Sequence, residues 1–228
     1  MKVYITAGEP SGDKLGADLM EGLRARVPEV QFTGIGGERM IGQGLESLFP
    51  MDEISIMGIT EILRQYGKLK ARIRETAEAV IAAKPDVLIT VDLPEFSLRV
   101  AELVKARSDI RVVHYVAPTV WAWRPKRATK MARHVDQVLA LLPFEPPYME
   151  AAGMRCDFVG HPVVTEPQAG AEDVAAFRLR HDLGDAPLAL ILPGSRRSEV
   201  SSESLACRGG GGSAARHDCP HAAPRGAL

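Results

Sequence analysis

The sequence predicts an α/β fold, a Rossmann-like, doubly wound parallel sheet, and two features of the chain indicate it. Short apolar runs rich in β-branched residues, such as residues 86–92 (DVLITVD) and 110–116 (IRVVHYV), alternate with segments of helical periodicity. These runs are apolar at successive positions, which is typical of parallel strands that are covered on both faces. We therefore expect helices on both sides of one parallel sheet.

The elements follow one another from the first residues onward. Residues 2–7 are a predicted strand, which leads through a glycine-containing turn into a helix with Leu15, Leu19 and Leu23 on one face. Further strands are expected at residues 30–35, 86–92, 110–116, 137–142, 157–159 and 188–192, and further helices at 96–107, 127–134 and 171–181.

Ligands of such sheets bind beyond the carboxyl ends of the strands, so functional residues are expected in the segments that follow strands. These segments are residues 8–13, 34–37, 92–96, 117–124 and 193–197.

Composition excludes several classes of protein. The formal net charge of −1 gives no global attraction to nucleic acid, so we expect no nucleic-acid partner. The three cysteines, at 156, 207 and 219, fit neither a disulfide framework nor a zinc site. No segment approaches the roughly 20 apolar residues that cross a bilayer. We expect no metal and no cofactor.

The chain divides into three predicted regions. Residues 1–165 are expected to form the Rossmann-like domain, and residues 166–200 a linker and the start of a second domain. Residues 201–228 contain four consecutive glycines and almost no large apolar side chain, so they are predicted to be disordered. This tail is either a natural flexible segment or, as the abrupt change after residue 200 favours, a non-native product of a frameshift or truncation.

The first candidate site is the turn after the first strand. Gly8 and Gly12 free the backbone there, and Ser11 or Asp13 can cap the following helix. The turn is either a plain strand–helix joint or a loop whose N–H groups face a polar ligand. Residues 34–40 (GIGGERM) repeat the pattern, but the dinucleotide-binding GxGxxG is not met because Arg39 stands at its third glycine.

The second candidate is Asp92, which directly follows a strongly apolar predicted strand. A carboxylate at that edge can act as a general base or can simply cap the next turn. His114, inside a predicted strand, is interpreted as a structural histidine. Trp121 and Trp123 precede a basic cluster and either pack in the core or hold a sugar or an amphiphile headgroup.

The third candidate is the amphipathic segment 56–74, which is either a core-facing helix or a surface that docks on anionic lipid. Its apolar residues at helical spacing are Ile59, Ile62, Leu63, Tyr66 and Leu69, and Arg64, Lys68, Lys70, Arg72 and Arg74 crowd the same segment.

Eight motifs, in order along the chain, resemble the lipid-A-disaccharide synthase family from residue 1 to about residue 200. They are AGEPSGD, GIGGERM, IMGITEIL, KPDVLITVDLPEF, HYVAPTVWAWRPKR, LALLPFE, FVGHP and LPGSR. The resemblance implies an inverting glycosyltransferase of the GT-B type, with two Rossmann-like domains facing across a cleft. It implies transfer of 2,3-diacylglucosamine from UDP to 2,3-diacylglucosamine 1-phosphate, with a β-1,6 bond, at the cytoplasmic face of the inner membrane of a Gram-negative bacterium.

The resemblance also implies roles for individual residues. Asp92 becomes the candidate base, and the turn with Gly8, Ser11, Gly12 and Asp13 lines the acceptor side of the cleft. The LPGSR motif would place Gly194, Ser195 and Arg196 at the donor diphosphate, although Arg196 can also be a surface charge. The lipid substrates favour membrane contact by the stripe at 59–69.

After residue 200 the chain departs from the family pattern, so this chain is expected to lack most of the nucleotide-binding domain and to be inactive. Two alternatives stay open: another UDP-sugar enzyme of the same two-domain fold, or a non-catalytic lipid-binding fragment.

Overall fold

The computed structural model describes residues 1–55, 59–123 and 125–185 together with positions 187, 188, 190 and 192, and for residues 59–65 it describes the backbone alone. The chain forms two compact units, Met1–Thr165 and Glu166–Leu228. The first unit contains a seven-stranded sheet in which every pair of neighbouring strands is parallel. The predicted α/β, Rossmann-like fold class is therefore confirmed.

The sheet has the order β3-β2-β1-β4-β5-β6-β7. Its strands are β1 (Lys2–Ala7), β2 (Gln31–Ile35), β3 (Glu46–Ser47), β4 (Val87–Val91), β5 (Arg111–Tyr115), β6 (Gln137–Ala140) and β7 (Arg155–Phe158). The helices are α1 (Pro10–Arg26), α2 (Glu38–Gly42), α3 (Ile59–Ala83), α4 (Pro94–Lys105), α5 (Lys126–Met131), α6 (Pro146–Glu150) and α7 (Ala171–Arg180), with 3₁₀ turns at Met51–Glu53 and Pro162–Thr165.

The core lies on both faces of the sheet because successive residues of a strand point to opposite sides. Val3 and Ile5 of β1 join Met20 of α1 in one layer. Tyr4, between them, belongs to the other layer, with Phe96 of α4. Each fully buried large apolar side chain stabilises the fold by about 1.5–3 kcal/mol.

The topology has one switch point, between β1 and β4. From β1 the chain first builds β2 and β3 on one side, and it then returns to the other side of β1 as β4, with Ala7 paired to Val91. In open α/β sheets a ligand crevice forms beyond the carboxyl ends of the two strands at such a point. The turns that follow Ala7 and Val91 are therefore the first place to search for a site.

One predicted strand differs from the structure. Leu188, Leu190 and Leu192, in the predicted strand 188–192, are exposed and belong to no strand, and the positions between them lie outside the described residues. The second unit has one described helix, α7, close to its predicted bounds.

Candidate functional site

The turn after β1 is set by the start of helix α1. Glu9 is the N-cap, in extended conformation and with no side-chain cap, and Pro10 is the first helical residue. Proline suits this position because its missing N–H would have no partner in the helix. The prediction that Ser11 or Asp13 caps the helix is thus wrong: both lie inside the first turn. The first N–H groups of a helix point out of its end, and Ser11 is exposed there.

Asp13 connects this turn to the next one. Its carboxylate accepts hydrogen bonds from the backbone N–H groups of Gly37 (2.7 Å), Arg39 (3.0 Å) and Met40 (3.1 Å) at the start of α2. The residue is only 5% exposed. A carboxylate at a helix N-terminus is stabilised by unpaired N–H groups and by the helix dipole. Asp13 therefore has a structural role, and its contact with a substrate stays a prediction.

The glycines of the second turn are needed for the same packing. A Cβ on Gly37 would lie 2.7 Å from the Asp13 Oδ2, and a Cβ on Gly36 would lie 2.7 Å from the Leu45 Cδ2. Real Cβ atoms do not approach that closely. The last two glycines of GIGG are thus explained by close packing, Gly36 against Leu45 and Gly37 against the Asp13 carboxylate.

The turn after β4 has a strained backbone. Asp92 (φ 50°) and Leu93 (φ 46°) are consecutive non-glycine residues in the left-handed region, a conformation that costs about 1–2 kcal/mol for each residue. Hydrogen bonds hold the turn: among them, the Asp92 N–H donates to the Tyr115 carbonyl (2.9 Å), and the Ser97 hydroxyl donates to the Asp92 carbonyl (2.7 Å). Helix α4 takes Leu93, rather than Asp92, as its N-cap.

A third strained residue lies beside this turn. Val116 (φ 81°) directly follows β5, the neighbour of β4, and its N–H donates to the Leu139 carbonyl (3.0 Å). A β-branched residue in this region is a genuine outlier. Strain of this kind persists where the surrounding structure enforces it, and it clusters at active sites. The other two described non-glycine residues with positive φ, Lys84 and Asp182, follow helices, where a left-handed residue commonly ends the helix.

The two turns at the switch point are in contact. A Cβ on Gly8 would lie 2.2 Å from the Leu93 Cδ2, and a Cβ on Gly12 would lie 3.6 Å from the Val91 carbonyl oxygen. The structure therefore brings the Gly8–Gly12 segment and the Asp92 turn together, at the carboxyl edge of the sheet where the sequence placed both. The predicted diphosphate contacts Gly194, Ser195 and Arg196 lie outside the described residues.

A groove of about 770 Å³ opens at the same edge of the sheet. It is lined by Pro10, Asp13, residues 36–39, Ile41 and residues 47–52, which follow β1 and β2 and surround the end of β3. Its volume falls in the range of about 300–1,000 Å³ that is usual for small-molecule sites. Residues 36–39, in the segment that the sequence marked only by its glycines, thus form a wall of this groove.

His114 lies below this edge and is completely buried. Its Nδ1 is 2.7 Å from the Thr90 hydroxyl on the neighbouring strand, and its Nε2 has no hydrogen-bond partner among the described residues. Burial lowers the pKa of His114 from 6.5 to about 4, so the ring is neutral at pH 7. The interpretation of His114 as a structural residue agrees with this burial.

The predicted membrane helix is only partly exposed. Helix α3 continues to Ala83, and its Leu69 is 8% exposed and lies in the core with Ile73. The prediction that Leu69 contacts a membrane is therefore wrong, because Leu69 packs against the sheet. Tyr66 is 48% exposed. The side chains of Ile59, Ile62 and Leu63 lie outside the described part of the chain.

Two of the cations on α3 are engaged within the protein. Glu53 pairs with Arg72 (2.6 Å) and with Lys68 (3.1 Å), and the Arg72 guanidinium lies 4.4 Å from the centre of the Phe49 ring. These pairs lower the pKa of the Glu53 carboxyl, chiefly through the hydrogen bonds from Arg72. Among the helices of the described residues, none is long and apolar enough to cross a bilayer.

The first unit is a Rossmann-like α/β domain. It has a seven-stranded parallel sheet with helices on both faces, and close-packed glycine turns lie at the switch point of that sheet. A solved UDP-GlcNAc 2-epimerase from Neisseria meningitidis has this fold, with a TM-score of 0.51 and 12% identity over 81% of this chain and 50% of that protein.

The chain belongs to the lipid-A-disaccharide synthetase family, whose family model matches residues 3–208. A lipid-A-disaccharide synthase of Ruegeria pomeroyi is 66% identical over 200 residues, which are 88% of this chain and 50% of that protein. One of Rhodospirillum centenum is 51% identical over 202 residues, 87% of this chain and 50% of that protein. The resemblance seen in the motifs is confirmed, and the chain spans about half the length of the curated relatives it matches.

Proposed function

We propose that this chain forms the acceptor-side half of a lipid-A-disaccharide synthase, a hexosyltransferase of the GT-B type. The donor is UDP-2,3-diacylglucosamine, the acceptor is 2,3-diacylglucosamine 1-phosphate, and the product is the β-1,6-linked disaccharide precursor of lipid A. Membership of the family and 66% identity to a relative of that name support the assignment.

One structural observation carries the proposal: the strained Asp92–Leu93 turn contacts the Gly8–Gly12 turn at the switch point of the sheet. Backbone strain of this kind needs a reason, and orienting a carboxylate at the ligand edge supplies one. The adjacent groove has a volume in the range usual for small-molecule sites, and Pro10 and Asp13 at the start of α1 lie in its wall.

In the proposed reaction Asp92 acts as the general base. The carboxylate takes the proton from the 6-hydroxyl of the acceptor while that oxygen forms a bond to the anomeric carbon of the donor sugar. The bond between that carbon and the diphosphate oxygen breaks on the opposite face, so the configuration inverts and UDP leaves. Gly194, Ser195 and Arg196 are proposed to stabilise the diphosphate, for which a guanidinium is well suited.

The substrates place the protein at a membrane surface. We propose peripheral association with the cytoplasmic face of the inner membrane of a Gram-negative bacterium, with no cofactor, because the UDP-sugar is itself a substrate.

The test uses a chimera in which residues 1–200 of this chain replace the matching half of the Ruegeria pomeroyi relative. The purified chimera should transfer diacylglucosamine from UDP to the monosaccharide 1-phosphate in detergent. Two results would contradict the proposal: an inactive chimera that is folded, or a chimera that prefers another UDP-sugar.

A further inference from the structure

Directly below the carboxyl edge of the sheet, one layer of the core is polar. Thr6, Thr90 and His114 are register partners on the adjacent strands β1, β4 and β5, and each is at most 2% exposed. We call these three residues the polar row. The next partners outward, Ile35 on β2 and Val138 on β6, are buried and apolar. The polar row is therefore confined to the two strands of the switch point and to β5, which neighbours them.

The layer beneath the polar row is largely apolar. Two residues earlier on the same strands, and therefore on the same face, lie Tyr4, Leu88 and Val112, which belong to one hydrophobic cluster with residues of α3 and α4. Burial of a polar group costs stability unless the group is hydrogen-bonded. Among the described residues, the Thr6 hydroxyl and the His114 Nε2 have no hydrogen-bond partner. An apolar row would avoid this cost, so the polar row indicates a role beyond packing.

One side-chain hydrogen bond in the polar row joins two strands. The Thr90 hydroxyl lies 2.7 Å from the His114 Nδ1, so β4 and β5 are joined by these side chains as well as by their backbones. A hydroxyl can donate or accept, so this bond forms with either tautomer of the neutral ring. In an interior of low dielectric constant the bond is stronger than in water. The two strands are therefore held together at the last layer before they end.

Both of these strands lead into strained backbone. Asp92 (φ 50°) is two residues beyond Thr90, and Val116 (φ 81°) is two residues beyond His114. The Asp92 N–H donates to the carbonyl of Tyr115 (2.9 Å), which lies between His114 and Val116. Strained conformations persist only where the surrounding structure enforces them. The bond between Thr90 and His114 lies where it can enforce them, one layer below the turn that carries the proposed base.

We propose that Thr90 and His114 are positioning residues, whose hydrogen bond holds the Asp92 turn in the strained form that directs its carboxylate to the acceptor hydroxyl. The inference rests on the proposed function for the role of Asp92. Both side chains are fully buried, so they act through the backbones of β4 and β5 and contact no substrate. Misplacement of a reacting group by about 1 Å can cost roughly 100-fold in rate. Loss of this bond should therefore lower kcat and leave the KM for the acceptor nearly unchanged.

Backbone amide exchange in the 228-residue chain tests the turn without catalysis. Thr90→Val removes the hydroxyl and keeps the shape of the side chain. We expect exchange at the Asp92 amide to rise about tenfold relative to the Ile89 amide, the effect of losing one hydrogen bond. The control Thr76→Val removes an equally buried hydroxyl that donates to the Arg72 carbonyl within α3, and it should leave this ratio unchanged. An unchanged ratio in Thr90→Val would overturn the proposal.

Two variants at His114 and Thr90 test whether the side chains act as a pair in the chimera. Because the bond is already absent in Thr90→Val, adding His114→Phe should lower kcat little further, although His114→Phe alone should lower it as much as Thr90→Val does. Additive losses of kcat would show that the two side chains act separately, and they would overturn the assignment.

The conservative variant separates positioning from packing. Thr90→Val should lower kcat of the chimera by about 10- to 100-fold, Thr90→Ser, which keeps the hydroxyl, should recover most of that loss, and Thr76→Val should be near normal. Normal kcat in Thr90→Val, or equal losses in Thr90→Val and Thr90→Ser, would contradict the positioning role. A parent chimera that transfers no sugar would contradict the proposed function instead, and amide exchange would still decide whether the bond holds the turn.

Discussion

Asp13 provides the strongest prediction about stability. Asp13→Ala removes the acceptor of three backbone N–H groups at the start of α2, at distances of 2.7, 3.0 and 3.1 Å. Of these bonds, only the one to Met40 is fully buried, so water can reach the N–H groups of Gly37 and Arg39 in the variant. A hydrogen bond to a charged group contributes about 1.5–3 kcal/mol, and a buried unsatisfied donor costs about 1–3 kcal/mol. We therefore expect a loss of about 3 kcal/mol.

The assay is urea denaturation of the chain followed by tryptophan emission, since Trp121 and Trp123 lie in the same compact unit. Asp13→Asn, which keeps one acceptor oxygen, should lose about half as much. The control is Asp18→Ala, an exposed carboxylate on the same helix, which should change the free energy of unfolding by less than about 0.5 kcal/mol. A loss below about 1 kcal/mol for Asp13→Ala would refute the structural role assigned to this residue.

Two further predictions concern the sheet and its switch point. The folded protein binds fewer protons at His114 than the unfolded chain between pH 6.5 and about 4, because burial lowers the pKa of the ring. The free energy of unfolding should therefore fall as the pH drops through that window, by up to about 1.4 kcal/mol per pH unit. His114→Gln should flatten this part of the profile of unfolding free energy against pH. An unchanged profile would contradict the burial of His114. Gly8→Ala should destabilise the fold by about 1–3 kcal/mol, because the new Cβ would lie 2.2 Å from the Leu93 Cδ2. Adding Leu93→Ala should recover part of that loss. Additive losses of stability in the double variant would show that the two turns are not in close contact.

The strands of the sheet were largely predictable from the sequence. β1, β4 and β5 lie within one residue of their predicted bounds because apolar β-branched runs end sharply at polar or glycine residues. Short elements gave no readable period: β3 has two residues and α2 and α6 have five each, so none was predicted. The location of the Asp92 turn and the glycine turn at one edge followed from the prediction of a parallel sheet, whereas their contact depends on the strand order seen in the structure.

The contacts within the site were harder to predict. A carboxylate in a glycine-rich turn has the same sequence signal whether it faces a ligand or, like Asp13, the N–H groups of another turn. The left-handed backbone at Asp92 and Leu93 has no signal of its own, although a residue before proline is disfavoured in the right-handed helical region. Leu69 matched the helical stripe of the other apolar residues, and only the packing shows that it faces the sheet.

The central claim is that Asp92 is the base that removes the proton from the acceptor hydroxyl. The most direct measurement is kcat of the chimera with Asp92→Asn, beside Asp109→Asn as a control at an exposed loop position. The account predicts a fall of roughly 100-fold or more for Asp92→Asn, the usual contribution of a general base, with KM for the donor nearly unchanged and Asp109→Asn near normal. A folded Asp92→Asn chimera with near-normal kcat would contradict the claim and remove Asp92 from the mechanism.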